Sequence, residues 1–324
     1  MQLQLNLDIP ALQPAIKYSD SIMLIGSCFT ENMSERLAQH KFNHLSNPHG
    51  ILFNPLSVAD SLESYIENKQ YTADDLFYLN ELWNSWDHHT RFSHIDAEQA
   101  LSIINKSQTS ASACIRKANW LIITLGSSFQ YYLKEKQRPV ANNHRAPSQW
   151  FDKRLLETNE IISRLSATID KLLKLNPGIQ ILFTISPVRH IRDGVIDNNR
   201  SKARLIEAVH TLCNRYNQAH YFPAYELVID ILRDYRYYDI DFVHPNYLAT
   251  TFVWEQFVAA CIDPQTRRQM KEVLEISISR AHRPRFPETE AHRKFLAACY
   301  QKVEKLAAEH PYLNFSDELA YFKP

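Results

Sequence analysis

Ser21-Ile-Met-Leu-Ile-Gly26-Ser27-Cys28-Phe29-Thr30 decides the reading of this chain. After Ser21, the residues Ile22 to Ile25 form the continuous apolar run of a strand buried on both faces. From Thr30 to His40 the apolar residues recur at helical spacing, with no linker between the two patterns. Strand, tight turn and helix in succession are the opening unit of a parallel α/β sheet. The glycine in the turn is informative because the chain has only five. So sparing a use places glycine where backbone geometry or close approach demands it. Gly178 lies in an Asn-Pro-Gly turn, whereas Gly26, Gly50, Gly126 and Gly194 each follow an apparent strand.

The same unit recurs along the chain. Strands are predicted at Ser21–Ile25, Phe42–Ser46, Asn119–Leu125, Ile179–Ile185 and Ala219–Pro223. Helical spacing spans Phe151–Leu175, through Leu155, Ile162, Leu165, Ile169 and Leu172, and again Ser201–Asn217. The fold class is therefore α/β, with five parallel strands in one sheet. Two segments stand outside the alternation: a helical insertion over about 56–117, and charged helices after Pro264. The predicted organisation is an α/β domain over 1–263 and a C-terminal helical appendage over 264–324 packed on it. In a parallel sheet the segments after the strands gather along one edge, where ligands bind. That edge collects Ser27, Asn47–Gly50, Gly126–Ser128 and Ser186–Arg189.

Composition narrows the partners. Lys plus Arg equals Asp plus Glu at 36 each, so no electrostatic footprint for nucleic acid or an anionic membrane is present. The Met1–Asp8 stretch alternates apolar and polar residues, without the basic and apolar regions of a secretory signal. No apolar run reaches membrane-spanning length. The five cysteines are odd in number and scattered, which suits free thiols in a reducing, cytoplasmic setting. No pattern sets an oligomeric state.

Ser27 would lie at a helix N-terminus, where unpaired amides stabilise a developing oxyanion. A plain helix cap requires the same residue at the same place. Cys28 is the rival nucleophile, although its setting beside Phe29 suits an inert core thiol. In Asp241-Phe-Val-His244-Pro245 the spacing lets a carboxylate meet the near nitrogen of an imidazole in one turn. The far nitrogen is then free to act as general base. A surface aspartate and a structural histidine before proline give the same pattern. Asp87-His88-His89 with His94 brings imidazoles together without fixing a coordination geometry, so no metal is expected. Arg189 and His190 follow the fourth strand, where they would hold a polar or anionic substrate group or pair with Asp193. His144 reads as a second imidazole or as part of a capping loop.

Several of these runs together resemble the GSCFA family, a branch of the SGNH/GDSL hydrolase superfamily. They are Gly26-Ser27-Cys28-Phe29, Asn47-Pro-His-Gly-Ile-Leu-Phe-Asn-Pro55, Trp83-Asn-Ser-Trp-Asp-His-His-Thr-Arg-Phe-Ser93, Ser186-Pro-Val-Arg-His190, and Tyr221 to Glu226 through Asp241-Phe-Val-His-Pro245. The resemblance spans about residues 20 to 250. It implies a flavodoxin-like three-layer α/β/α sandwich and a triad of Ser27, Asp241 and His244. Oxyanion donors would come from the Ser27 amide and the Gly50 loop, and a histidine such as His89 would line the crevice. One departure is plain. The superfamily's third block is usually Gly-x-Asn, and here it is Gly126-Ser127-Ser128. Asn47, Asn142 or a serine hydroxyl such as that of Ser127 would have to replace that donor, whose loss costs about a hundredfold in turnover. The expected activity is serine-dependent hydrolysis of a small acyl ester, on a carbohydrate by superfamily analogy, without cofactor or metal. An acyltransferase using the same triad, and a non-catalytic binding protein on the same fold, are the alternatives.

Overall fold

The computed structural model describes residues 5–323, so the first half of the alternating Met1–Asp8 stretch lies outside the described residues. The chain opens with β1 (Ile22–Gly26), α1 (Cys28–Gln39), β2 (His44–Ser46) and α2 (Pro55–Glu67). A hairpin of β3 (Leu76–Leu79) and β4 (Leu82–Ser85) precedes α3 (Ala97–Ile115) and β5 (Trp120–Leu125). Then come β6 (Phe129–Leu133), β7 (Arg138–Val140), β8 (Phe151–Leu155), α4 (Thr158–Leu175) and β9 (Gln180–Ile185). α5 (Val195–Arg215), β10 (Ala219–Tyr221), α6 (Ala224–Glu226) and α7 (Tyr247–Cys261) follow. The last helices are α8 (Pro264–Ala281), α9 (Glu290–Glu309) and α10 (Ser316–Phe322).

Five strands form one parallel sheet, as the strand–helix alternation predicts, and their order is β10-β9-β5-β1-β2. Every residue of β1 and β5 is buried. The period-2 alternation of a strand splits β1 between two cores. Ile22 and Leu24 join α1, α7 and α8 on one face, while Met23 and Ile25 join α2, α4 and α5 on the other. This is the three-layer α/β/α sandwich.

Three local expectations change. The helix predicted from Phe151 begins at Thr158, because Phe151–Leu155 is drawn into an antiparallel sheet with β6 and β7. The predicted helical insertion contains the β3–β4 hairpin, turned at Asn80 and Glu81, whose φ angles are 52° and 63°. The helix predicted from Ser201 starts six residues earlier, at Val195. The helices after Pro264 share the α1-side core, which includes Met270, Val273, Val303, Leu306 and Phe322.

Candidate active site

Ser27 closes β1 and caps α1: its amide donates to Thr124 O at 3.2 Å, and its Oγ accepts from the Phe29 amide at 3.3 Å. The cap reading is met, with the Ser27 hydroxyl held at the N-terminus of α1. Gly26 is required by its surroundings, since it has φ +151° and a Cβ there would lie 2.3 Å from Thr124 O. The Cys28 amide, first in the helix, donates to no backbone carbonyl among the described residues. Burial pushes the Cys28 thiol above its usual pKa, which weakens it as a rival nucleophile.

Asp241 and His244 lie on one tight turn, in which Phe242 takes a left-handed φ of 55°. Asp241 Oδ2 meets His244 Nδ1 at 2.7 Å, while Oδ1 accepts from the amides of Val243 and His244 at 2.9 and 3.0 Å. The bond to His244, with those two amides, holds the Asp241 carboxyl down at about 2. Asp241 is thus an anion at neutral pH that fixes the ring through Nδ1. The turn is tied to its neighbours by Asp239 N to His244 O at 2.8 Å and Arg189 N to Val243 O at 3.1 Å.

Ser27, Asp241 and His244 line one cavity of about 780 Å³ at the carboxyl edge of the sheet, together with Ser127, Asn142 and Arg189. No hydrogen bond joins Ser27 to His244 among the described residues. Asn47, Gly50 and His89 do not line this cavity. Asn47 is buried behind the turn, where its Oδ1 accepts from the Gly26 amide at 2.9 Å. The Gly50 amide already donates to Asn47 O at 2.7 Å, and a Cβ on Gly50 would strike His89 Cβ at 2.2 Å. His89 caps the short 3₁₀ turn Thr90–Phe92. Of the three, Asn47 holds the Gly26-Ser27 turn directly, while Gly50 and His89 pack against each other outside the cavity.

The third-block serines are also committed. The Gly126 and Ser127 amides both donate to Phe53 O, at 2.7 and 2.9 Å. Ser127 Oγ lies 3.3 Å from Ser201 Oγ and accepts from the Phe129 amide, at the start of β6, at 3.1 Å. Ser128 Oγ donates to Ser201 O at 3.1 Å. Asn142 Oδ1 accepts from His144 N at 2.8 Å, and the buried His144 ring reaches Ser85 O through Nε2 at 2.8 Å. His88 stacks on His49 at 4.0 Å and meets Ser85 Oγ through Nδ1, away from the cavity.

Lys202 is the residue that sequence reasoning passed over. It is fully buried on α5, and its Nζ donates to Gly126 O and Ser186 O, both at 2.6 Å. No carboxylate pairs with it among the described residues. Burial holds the ammonium down to about 7, with a small opposing contribution from Cys28. The signal was present: Asn198, Ser201 and Lys202 extend the stripe of Leu205, Val209 and Leu212 at helical spacing. Polar residues continuing a buried stripe mark the place where a helix passes beneath a site.

The family model described as "GSCFA family" matches residues 21–257, and that described as "GSCFA domain protein, C-terminal domain" matches residues 273–323. No curated protein matches the chain. Among solved structures the chain is similar to an acetyl xylan esterase (Est2A) from the rumen bacterium Butyrivibrio proteoclasticus. That similarity has 11% identity and a TM-score of 0.35, and covers 75% of this chain and 63% of the esterase chain. So distant a likeness carries no argument about chemistry. The family models, by contrast, span the Gly26-Ser27 turn, the Asp-x-x-His turn and the last helices, and the chain belongs to the GSCFA family.

Proposed function

We propose that this protein is a serine-dependent acyl-ester hydrolase. The observation that carries the reading is Ser27, at the N-terminus of α1, sharing one cavity wall with a His244 held by Asp241. In the proposed reaction Ser27 Oγ bonds to the ester carbonyl carbon while its proton passes to His244 Nε2. The carbonyl π pair moves onto oxygen, where the Cys28 amide and the positive end of α1 stabilise it. The pair then returns, the bond to the alcohol oxygen breaks, and His244 protonates the departing oxygen. Water repeats the sequence on the acyl-enzyme and restores Ser27.

The proposed substrate is an ester of a small acyl group with a polar, carbohydrate-like alcohol. The cavity wall supports this by combining Asn142, Asn143, Lys153 and Arg189 with Phe53 and Phe129. Five free cysteines support a reducing, cytoplasmic setting. The test is the intact-protein mass after fluorophosphonate treatment. One adduct on the wild type, absent from Ser27→Ala and His244→Ala, is the expected result. A folded wild type that takes up no adduct overturns the reading in favour of a non-catalytic binding protein. Product analysis with and without candidate sugars separates hydrolysis from acyl transfer.

A further inference from the structure

The hydrolase reading leaves one chemical need unmet. A tetrahedral intermediate on Ser27 requires more than one preorganised donor, yet most nearby donors are engaged. The amides of Ser27, Gly50, Gly126 and Ser127 donate to backbone carbonyls, and the hydroxyls of Ser127 and Ser128 are held against Ser201. Near the nucleophile turn, the Cys28 amide is one group that donates to no backbone carbonyl among the described residues. His190 Nε2 is another: it is buried and makes no hydrogen bond among the described residues, as is true of Asn47 Nδ2 and Thr30 Oγ1, but of these three residues His190 alone lines the cavity.

The place of that nitrogen is specific. A methyl group on Gly126 would lie 3.2 Å from His190 Nε2 and 3.4 Å from Ser27 Cβ. Phe53 Cβ would be nearer still, at 2.8 Å, so the bare glycine is what lets Phe53, the ring nitrogen and the Ser27 side chain converge on one point. Both Ser27 and His190 line the cavity. A buried imidazole nitrogen without a partner is costly to a fold, and here it sits where substrate would supply the partner. Its position is held from two sides. The His190 amide donates to Asn198 Oδ1 at 2.8 Å, and the ring packs on Phe53 at 5.5 Å between centroids. The preceding residue ties this loop to the His244 turn through Arg189 N and Val243 O.

We infer that His190 donates an Nε2–H hydrogen bond to the oxyanion of the tetrahedral intermediate, at the position the superfamily's third-block asparagine would serve. This rests on the hydrolase reading. His190 keeps its proton throughout: the Ser27 proton goes to His244, and His190 only stabilises the negative oxygen. Its electrostatic setting suits that division of labour. Burial first, and the charge of Lys202 second, hold the His190 ring down to about 4. The ring therefore stays a neutral donor and a poor base across the neutral range.

The experiment uses the full chain, with p-nitrophenyl acetate hydrolysis and fluorophosphonate labelling of Ser27 as readouts. His190→Phe is expected to lower kcat and kcat/KM together by about a hundredfold, with KM nearly unchanged. His190→Asn, which returns an amide donor, is expected to recover much of that loss. The pH dependence of kcat/KM should keep its wild-type shape in both. His190→Leu gives the same reading if phenylalanine disturbs the packing on Phe53. Near-wild-type turnover in folded His190→Phe and His190→Leu overturns the inference, as does a loss confined to KM or a displaced pH limb. In each of those cases Ser27 labelling of the wild type leaves the hydrolase reading standing. A wild type that neither labels nor turns over removes that reading, and this inference with it.

Discussion

Asp241 and Lys202 show two opposite uses of charge at single residues. Asp241 is half-exposed, and its two oxygens divide the work: Oδ1 holds the turn through two amides, and Oδ2 holds the imidazole. Asp241→Asn keeps an acceptor at Oδ1 but presents an amide N–H toward His244 Nδ1, favouring the wrong tautomer. Turnover should fall by about 10³- to 10⁴-fold with little change in thermal stability, and steady-state kinetics with a melting curve checks both. Lys202 is the reverse, a buried cation without a paired carboxylate among the described residues. Its pKa is about 7 when folded, against the ordinary 10.5 of an exposed lysine. Below pH 7 both states carry the charge, and the folded state bears the full cost of burying it. Between pH 7 and 10.5 the unfolded chain retains a proton that the folded chain has lost, so this residue makes stability rise with pH. Urea unfolding of wild type and Lys202→Met at pH 6.5, 8 and 9.5 checks this. Their difference should move in the wild type's favour by a few kcal/mol, because each tenfold change in proton affinity is worth about 1.4 kcal/mol. Parallel stabilities at all three values would refute it.

Among the elements, α2 and α4 are joined by charge as well as by apolar packing. Arg164 of α4 pairs with Glu63 and Asp60 of α2, and Glu63 also accepts from Thr168 at 2.9 Å and Lys171 at 2.8 Å. Burial alone would raise Glu63, but the hydrogen bonds from Arg164, Lys171 and Thr168 outweigh it and hold the carboxyl at about 2. The stabilisation is complete above pH 4.5 and is lost as pH falls from 4.5 through 2. Glu63→Gln should cost about 1–2 kcal/mol at pH 7. The gap should shrink as unfolding is measured toward pH 3. Legibility differed sharply among the elements. Strands β1, β5 and β9 were readable because burial on both faces writes them as apolar runs. β8 was not, because Phe151 and Leu155 stand four apart, a spacing that satisfies a helix face and one face of a strand alike. Pairing with β6 decided between them. The β3–β4 hairpin escaped because its turn is Asn80-Glu81 rather than the Asn-Gly pair that signals such a turn.

Across the whole molecule, the C-terminal helices complete a core begun by the first strand. Met270, Val273 and Ile276 of α8 pack in one cluster with Ile22, Phe29 and Leu37, and α9 and α10 add Val303, Leu306 and Phe322. Buried Glu318 of α10 pairs with Lys41, just past α1, at 2.7 Å and with Arg280 of α8 at 3.1 Å. Ending the chain after Asp263 should therefore uncover the α1-side core. The expected product aggregates or binds 8-anilinonaphthalene sulfonate with loss of near-ultraviolet circular dichroism. A truncated protein with a native-like spectrum and a cooperative melt would show that the α/β unit folds alone. Among the described residues no helix is long and apolar enough to cross a membrane.

What the sequence determined by itself was local or periodic. The order of strands and helices follows from hydrophobic period, and the Gly26-Ser27 turn follows from a strand meeting a helix. The Asp241–His244 bond joins residues three apart, so one turn can make it whatever the rest of the chain does. Tertiary structure alone decided which residues reach the cavity. It kept Asn47, Gly50 and His89 out of that cavity and brought Lys202 beneath Gly126, a residue 76 positions away. It also left His190 Nε2 buried near Ser27 without a hydrogen-bond partner among the described residues. Those outcomes depend on desolvation and on contacts between distant segments, and no pattern within one segment records what remote residues will exclude from water.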